Sequence, residues 1–195
     1  MKSLKIVLLF TLTIIAGVLI APQLPSRYTY GVEAWYARLG QPEFNEPFES
    51  FTHQPIDEVS TALRAKGHAP KCYGNLTPEE KISKRHDFTC DIYTNSAYGG
   101  IPATHIMFIF QDGTLTHVRV EFPSSSFEKV QDYAFKHMQN YKRADTKEDL
   151  GSDGFGNKLM GWTLPKGSLV AGTEEVEGQP TYLLWSSNQF SFKLK

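Results

Sequence analysis

Two histidine–cysteine pairs are the groups in this sequence whose types and spacing could do chemistry. His68 precedes Cys72 by four residues, and His86 precedes Cys90 by four. Imidazole nitrogen and thiolate sulfur are the usual ligands of structural zinc, each about 2 Å from the metal. However, His86 and Cys90 would lie along one predicted strand, about 13 Å apart at roughly 3.3 Å per residue. We therefore favour a disulfide bond between Cys72 and Cys90 over two free thiols or a metal site, and we predict no metal and no cofactor.

His117 and Glu121 are a second pair with catalytic potential, because an imidazole beside a carboxylate can act as an acid/base couple. An ordinary pair on the surface of a sheet is the simpler interpretation. The sequence contains no nucleophile elbow, Walker loop, dinucleotide fingerprint or zinc-protease helix motif. We therefore predict that the protein is not an enzyme.

A polar, glycine-rich stretch over residues 144–157 could bind calcium through carboxylate and amide groups. The candidate ligands are Asp145, Asp149, Asp153 and Asn157. An EF-hand loop needs acidic or amide groups at every second position, a central glycine and a closing glutamate. The stretch does not meet that pattern, so a flexible loop is the favoured interpretation.

The first 22 residues decide in which compartment the rest of the chain lies. Residues 6–21 carry no charge, and sixteen helical residues span about 24 Å of the roughly 30 Å hydrocarbon layer. We favour an uncleaved anchor over a cleaved signal peptide, because the best cleavage position, Ala21, is followed by Pro22; a buried core helix is the third alternative. Lys2 and Lys5 favour a cytoplasmic N-terminus. We thus predict a single-pass protein of the bacterial inner membrane with a periplasmic C-terminal domain, where a disulfide can form.

Small residues recur at every fourth position of this predicted membrane helix, at Thr13, Gly17 and Ala21. Such a stripe lets a second helix approach closely, and it therefore predicts packing against a membrane partner. Chance spacing is the alternative, because small residues are common in membrane helices.

Composition limits the remaining function classes. A net charge of −1 gives no reason to expect nucleic-acid binding, and an apolar fraction of 41% is enough for a hydrophobic core. We divide the chain into the anchor (1–22), a juxtamembrane linker (23–51) and an extracytoplasmic domain (52–195), with possible halves at 52–123 and 124–195. The expected partners are the lipid bilayer and a membrane or envelope protein.

The patterning of the domain predicts an α+β fold with antiparallel sheets and helices packed on one face. Val59 and Leu63 have the spacing of a buried helix face within 55–67, and a second helix is expected over 125–143. Alternation, with Phe88, Cys90 and Ile92 on one face, predicts a strand over 87–94. The two halves have a similar order of helix and strands, which suggests a duplicated α-β-β-β unit. Three or four further strands are expected at 158–164, 168–176, 180–187 and 189–194.

Asp112-Gly113, between two apolar stretches within 101–122, predicts a two-residue hairpin turn. Counting outward from the turn without interruption puts Met107 opposite Val118 on an apolar face that should meet the core. The opposite face mixes apolar and charged side chains. We predict partner binding there, with cover by the chain's own helices as the alternative. The residues of that face are Ile106, Phe108, Phe110, Leu115, His117 and Arg119.

Residues 52–122 resemble small extracytoplasmic α+β modules of two families, the outer-membrane assembly small lipoprotein and the β-lactamase inhibitory protein. The resemblance rests on Val59 and Leu63 in the first helix, the cysteine pair, and a final hairpin with Asp112-Gly113-Thr114-Leu115. Those families open the first helix with Gly-Met-Thr, whereas this chain has His53-Gln54-Pro55 there. The resemblance implies antiparallel sheets with helices on one face, and protein binding rather than catalysis.

These expectations converge on a membrane-anchored extracytoplasmic binding protein, an accessory or adaptor subunit of a membrane or envelope complex. The alternative is an inhibitor or immunity-type protein that acts on an envelope enzyme, and an envelope enzyme is the less favoured third class. An accessory subunit should need its anchor, whereas an inhibitor should work when it is cut free of the anchor.

Overall fold

The computed structural model describes residues 35–78, 81, 84–144, 158–176 and 178–188. Three sequence predictions fall outside the described residues: the membrane segment 1–22 with Thr13, Gly17 and Ala21, the calcium candidates within 145–157, and the last strand at 189–194. Among the residues that are described, no helix is both long and apolar enough to cross a membrane.

From Arg38 onward, the described chain forms two α-helices and ten strands. The helices are α1 (Ile56–Ala65) and α2 (Phe127–Met138), with short 3-10 turns at Phe48–Phe51 and Ser124–Ser126. The strands are β1 (Lys71–Gly74), β2 (Phe88–Tyr93), β3 (Ser96–Ala97), β4 (Ile101–Pro102), β5 (His105–Gln111), β6 (Thr114–Phe122), β7 (Lys142–Ala144), β8 (Leu159–Leu164), β9 (Gly167–Gly172) and β10 (Thr181–Ser187).

Both helices lie where apolar residues recur at helical spacing. α1 buries Val59 and Leu63, and two residues after its end Gly67 adopts a positive φ of 86°, a conformation that commonly terminates helices. α2 ends at Met138, earlier than predicted. The residues that follow pair with β8 as strand β7, so backbone hydrogen bonds to the sheet replace the expected last helical turn.

Eight of the described strands form one antiparallel sheet in the order β1-β2-β5-β6-β10-β9-β8-β7. The four strands from the first half of the domain are contiguous in this sheet, and so are the four from the second half. The two sets meet where β6 pairs with β10. The prediction of an α+β fold with a large antiparallel sheet and few helices is confirmed.

One face of the sheet, called the core face below, holds the hydrophobic core. A row of paired residues crosses it from β1 to β8 and consists of Cys72, Cys90, Phe108, Val118, Trp185, Leu169 and Trp162. Val59 and Leu63 of α1 and Val130 and Ala134 of α2 are fully buried in the same cluster. Both described α-helices therefore pack on the core face.

The β5–β6 hairpin contains an irregularity that the sequence did not predict. Phe110 pairs with Leu115, but its neighbour Ile109 pairs with His117, so Thr116 is an extra residue in β6. The Thr116 hydroxyl donates a hydrogen bond of 3.1 Å to the carbonyl of Ile109. Such a β-bulge turns every later side chain of its strand to the other face.

The bulge overturns the predicted register, although the predicted turn is found. Asp112 and Gly113 occupy the turn with φ angles of 50° and 75°, as a two-residue hairpin of this type requires. Val118 pairs with Phe108, so the predicted opposition of Met107 and Val118 is wrong. The charged side chains of β6 point away from the core rather than alongside Phe108.

Cys72 and Cys90 form a disulfide bond, as predicted. They are directly opposite each other on β1 and β2, and Cys90 is fully buried. β1 is an edge strand that pairs with β2, so the bond fastens the edge of the sheet.

Removing this bond should lower the free energy of unfolding by about 3 kcal/mol, because closing a loop of this length restricts the unfolded chain. We expect the Cys72→Ala, Cys90→Ala double variant to fold with that loss in denaturant titrations. Thiol titration of the oxidised, denatured wild type should detect no free thiol until a reductant is added. Two free thiols before reduction would contradict the assignment.

The segment from Phe44 to Phe51, which the sequence places in the linker, packs against the sheet. Phe44, Phe48 and Phe51 are all buried in the main core, and Phe44 forms a parallel bridge to Ala97. This part of the predicted linker therefore belongs to the folded domain, because its three phenylalanines fill part of the hydrophobic core.

Candidate functional site

The face of the sheet opposite the core face, called the second face below, carries the candidate site. Because side chains alternate along each strand, this face lies on the side away from both described α-helices. Its central row of paired residues consists of Lys71, Asp91, Met107, Arg119, Leu184, Val170 and Gly161.

His105, the first residue of β5, lies between two carboxylates on the second face. Its Nε2 is 3.4 Å from Oδ1 of Asp91, and its Nδ1 is 3.8 Å from Oε2 of Glu121. The ring of Tyr93 stacks on the imidazole at a centroid distance of 4.8 Å. Tyr73 donates a hydrogen bond of 2.9 Å to the other oxygen of Asp91. These contacts fix the position of the imidazole from several sides.

Arg119 extends this network to the neighbouring strand. Its Nη2 lies 2.9 Å from Oε1 of Glu121, and its guanidinium carbon is 4.5 Å from the ring centroid of Tyr182 on β10. A carboxylate and an aromatic face together hold a guanidinium in one orientation. Arg119 is therefore positioned before any partner arrives, and its side chain is 26% exposed.

Electrostatics keep this cluster charged at neutral pH. Burial alone would lower the pKa of His105, but the carboxylates of Asp91 and Glu121 outweigh that effect and raise the pKa to about 9. Burial would likewise raise the pKa of Glu121, and His105 and Arg119 lower it instead. At pH 7 His105 is thus protonated and Glu121 is ionised.

The free energy of unfolding should fall as the pH rises from about 6.5 through about 9. The folded pKa of His105 is above its unfolded value, so the ion pairs contribute fully below that window and are lost when the imidazole deprotonates. The loss is at most about 3 kcal/mol. Denaturant titrations of the full chain in mild detergent measure it. A His105→Gln variant should lose this pH dependence, and an equally steep profile in that variant would contradict the assignment.

A cavity of about 250 Å³ opens beside Arg119 and Tyr182. It is formed where β6 ends, where β10 begins and where the chain turns between β9 and β10. Among the described residues, its lining consists of Arg119, Ser124, Gly172, Glu174, Glu175, Val176, Gln179, Pro180, Thr181 and Tyr182. Apolar walls beneath a carboxylate-bearing rim suit an amphipathic group.

His117 lies on the second face but is 5% exposed. Its ring contacts that of His86 at a centroid distance of 4.8 Å, and its Nδ1 is 3.0 Å from the hydroxyl of Thr116. Burial and the neighbouring His86 lower the pKa of His117 to about 3, so it is neutral at pH 7. The predicted pairing of His117 with Glu121 is not found, because Glu121 contacts His105 and Arg119 instead.

The six residues predicted to bind a partner do not share a face. Ile106, Phe108, Phe110 and Leu115 are fully buried in the core, beneath the helices, so a partner cannot reach them in this structure. His117 and Arg119 lie on the second face, and of the two only Arg119 is partly exposed. The bulge at Thr116 separates the set.

The residues that complete the site were not predicted as functional. Asp91, Met107 and Tyr182 come from three strands that meet only through long-range pairing. The sequence did contain a signal for Asp91. The alternation that put Phe88, Cys90 and Ile92 on the buried face of the strand also puts Asp91 on the opposite face. Cys72 and Cys90 are joined in the disulfide rather than to a metal, and among the described residues no group of three or more His, Cys, Asp or Glu side chains is arranged to hold a metal ion.

Comparison with known proteins gives no further assignment. No family model, no curated protein and no solved structure matches this chain.

Proposed function

We propose that the protein is a membrane-anchored extracytoplasmic binding protein, an accessory or adaptor subunit of a membrane or envelope complex, and that its second face holds the partner protein. On sequence grounds the partner-binding site is expected on the side of the hairpin that carries Phe108, which is the core face in the structure. We now place the site on the second face. Of the six residues predicted from the sequence, His117 and Arg119 lie on the second face, and Arg119 is the one that is partly exposed.

The composition of the second face carries this proposal. Its partly or fully exposed side chains include Lys71, Tyr73, Tyr93, His105, Met107, Arg119, Glu121, Lys142, Thr163, Tyr182 and Leu184. The two lysines lie on the edge strands β1 and β7. Tyrosine, methionine and arginine, which are enriched at protein–protein interfaces, occupy much of the rest of the face. Their rings and the guanidinium are held by neighbours before binding, which reduces the entropy lost on association.

Three sequence features support the remaining parts of the proposal. The uncharged segment over residues 6–21 favours a membrane anchor with a periplasmic domain, and the spacing of Thr13, Gly17 and Ala21 favours a helix contact within the membrane. The resemblance to extracytoplasmic α+β binding modules implies protein binding as well. Each half contributes one described α-helix and four contiguous strands to the large sheet, so a duplicated unit would have one strand more than the α-β-β-β unit expected from the sequence.

Gentle detergent extraction of the tagged full chain, followed by identification of the proteins that accompany it, tests this function. We expect a specific membrane or envelope protein to co-purify with the wild type and to be lost from Met107→Lys, which changes the second face. The matched control, Lys129→Glu, alters an exposed residue of α2 on the other side and should retain the partner. Equal recovery from both variants would contradict binding by the second face.

The resemblance also favours a second candidate, an inhibitor or immunity-type protein that acts on an envelope enzyme. A chain cut after residue 22 distinguishes the two. An inhibitor should still bind its enzyme without the anchor, whereas an accessory subunit should lose its place in the complex.

A further inference from the structure

The cavity beside Arg119 has the dimensions of a receptor for one side chain. Its volume of about 250 Å³ is below the roughly 300–1,000 Å³ of pockets that hold complete small-molecule ligands. It also opens at the edge of the second face, where an incoming protein surface would lie. A side chain projecting from that surface is therefore a better match than a free metabolite.

The walls of the cavity favour an aromatic group. Val176, Pro180 and Tyr182 supply apolar surface. The guanidinium carbon of Arg119 lies over the Tyr182 ring, 4.5 Å from the centroid. A guanidinium can stack on a second aromatic ring by the same attraction between cation and π-electrons. An aliphatic side chain would fill the space without that contact.

The rim of the cavity offers hydrogen-bond acceptors. Glu174 and Glu175 contribute carboxylates. Glu174 already accepts a bond of 3.1 Å from Lys158, and Glu175 is exposed. A partner group that carries an N–H or O–H donor matches this rim, whereas an acidic group would be repelled. Among aromatic side chains, tryptophan and tyrosine carry such a donor at the edge of the ring.

We propose that the cavity receives one tryptophan or tyrosine side chain of the partner protein. The ring lies against the Arg119 guanidinium, and its N–H or O–H donates to a rim carboxylate. The proposal deepens the proposed function and rests on it, because it assumes a protein partner on the second face. The arrangement is that of an interface anchor, in which one aromatic residue fills a pocket in the facing protein surface.

A fragment titration tests the cavity without the partner. N-acetyltryptophanamide and N-acetyltyrosinamide are added at millimolar concentrations to the full chain in mild detergent, and backbone amide shifts are followed by NMR. We expect saturable shifts for the residues that end β6, begin β10 and connect β9 to β10. N-acetylleucinamide, which lacks the ring and its donor, should bind more weakly by about five-fold or more.

Two variants distinguish binding in the cavity from contact elsewhere. Gly172→Leu should block the cavity, since a Cβ at that position has no neighbour closer than the Glu174 carbonyl oxygen at 3.8 Å and the larger side chain can then project into the space. Arg119→Lys keeps the charge but removes the planar group, and it should weaken fragment binding by about five-fold. Lys129→Ala on α2 is the control and should bind as the wild type does. If either cavity variant fails to fold, the other one decides the result.

The proposal is overturned if no shifts cluster at the cavity, if leucinamide binds as well as the aromatic fragments, or if Gly172→Leu leaves the shifts unchanged. The proposed function fails separately, if Met107→Lys retains the co-purified partner. A partner that depends on Met107 but binds Gly172→Leu normally would support the second face as the interface and exclude the cavity as its anchor point.

Discussion

The Phe108→Asp variant should fail to fold, whereas Met107→Lys, one position earlier on the same strand, should fold with nearly wild-type stability. Phe108 is fully buried at the centre of the core face, and a carboxylate there would lose its hydration without gaining a partner. That cost is comparable to the whole stability of a domain, about 5–15 kcal/mol. Met107 lies on the second face beside Asp91 and Arg119, where a lysine ammonium can remain hydrated.

Circular dichroism and denaturant titration of the two variants measure this difference. Phe108→Leu serves as a control for the site, because it stays apolar and should retain the fold at a cost of about 1 kcal/mol. If Phe108→Asp folded normally while Met107→Lys unfolded, the faces of β5 would be exchanged and the structure of the hairpin would be wrong. Loss of a partner from Phe108→Asp would reflect unfolding rather than the removal of a contact.

Replacing Arg119 by alanine should weaken binding of the partner by about 30-fold to 1,000-fold, which corresponds to about 2–4 kcal/mol. The substitution removes a guanidinium that is held in place by Glu121 and Tyr182. Arginine in such a position is typical of the few residues that supply most of the affinity of an interface. The dissociation constant of the partner that co-purifies with the full chain is the quantity to measure.

Lys129→Ala is the matched control, because Lys129 is an exposed cation on α2, on the core-face side of the sheet. It should leave the dissociation constant unchanged. The Arg119→Ala chain must also give a wild-type circular dichroism spectrum, since Glu121 retains His105 as its counter-ion. A folded Arg119→Ala protein with unchanged affinity would exclude Arg119 from the interface.

Local patterns predicted much of the fold. The spacing of Val59 and Leu63 gave α1, the alternation of Phe88, Cys90 and Ile92 gave β2, and Asp112-Gly113 gave the hairpin turn. Each of these signals is contained within a few neighbouring residues, and each depends on a periodicity that the backbone imposes. The disulfide followed from the presence of one cysteine pair in a chain expected to leave the cytoplasm.

The bulge at Thr116 could not be predicted in the same way. Leu115, Thr116 and His117 alternate acceptably in either register, and the choice depends on contacts with β10, which is distant in sequence. This single extra residue puts the charged side chains that follow it in β6 on the second face rather than beside Phe108. The predicted site was divided as a result, with its apolar members in the core.

The ion cluster depends on the same long-range pairing. Asp91, His105 and Glu121 meet because β2 pairs with β5 and β5 with β6, and Tyr182 joins them from the second half of the domain. Any one of these residues looks like an ordinary strand residue in the sequence. Their proximity emerges only when the strand order and register are known.

Site-specific photo-crosslinking tests most directly whether the second face binds the partner. A photoreactive amino acid is placed at position 107 on the second face or at position 129 on α2, each in the tagged full chain in intact cells. The proposed function predicts a discrete crosslinked product from position 107, containing the partner protein, and none from position 129. A product from position 129 alone would contradict it and would place the interface on the helical side.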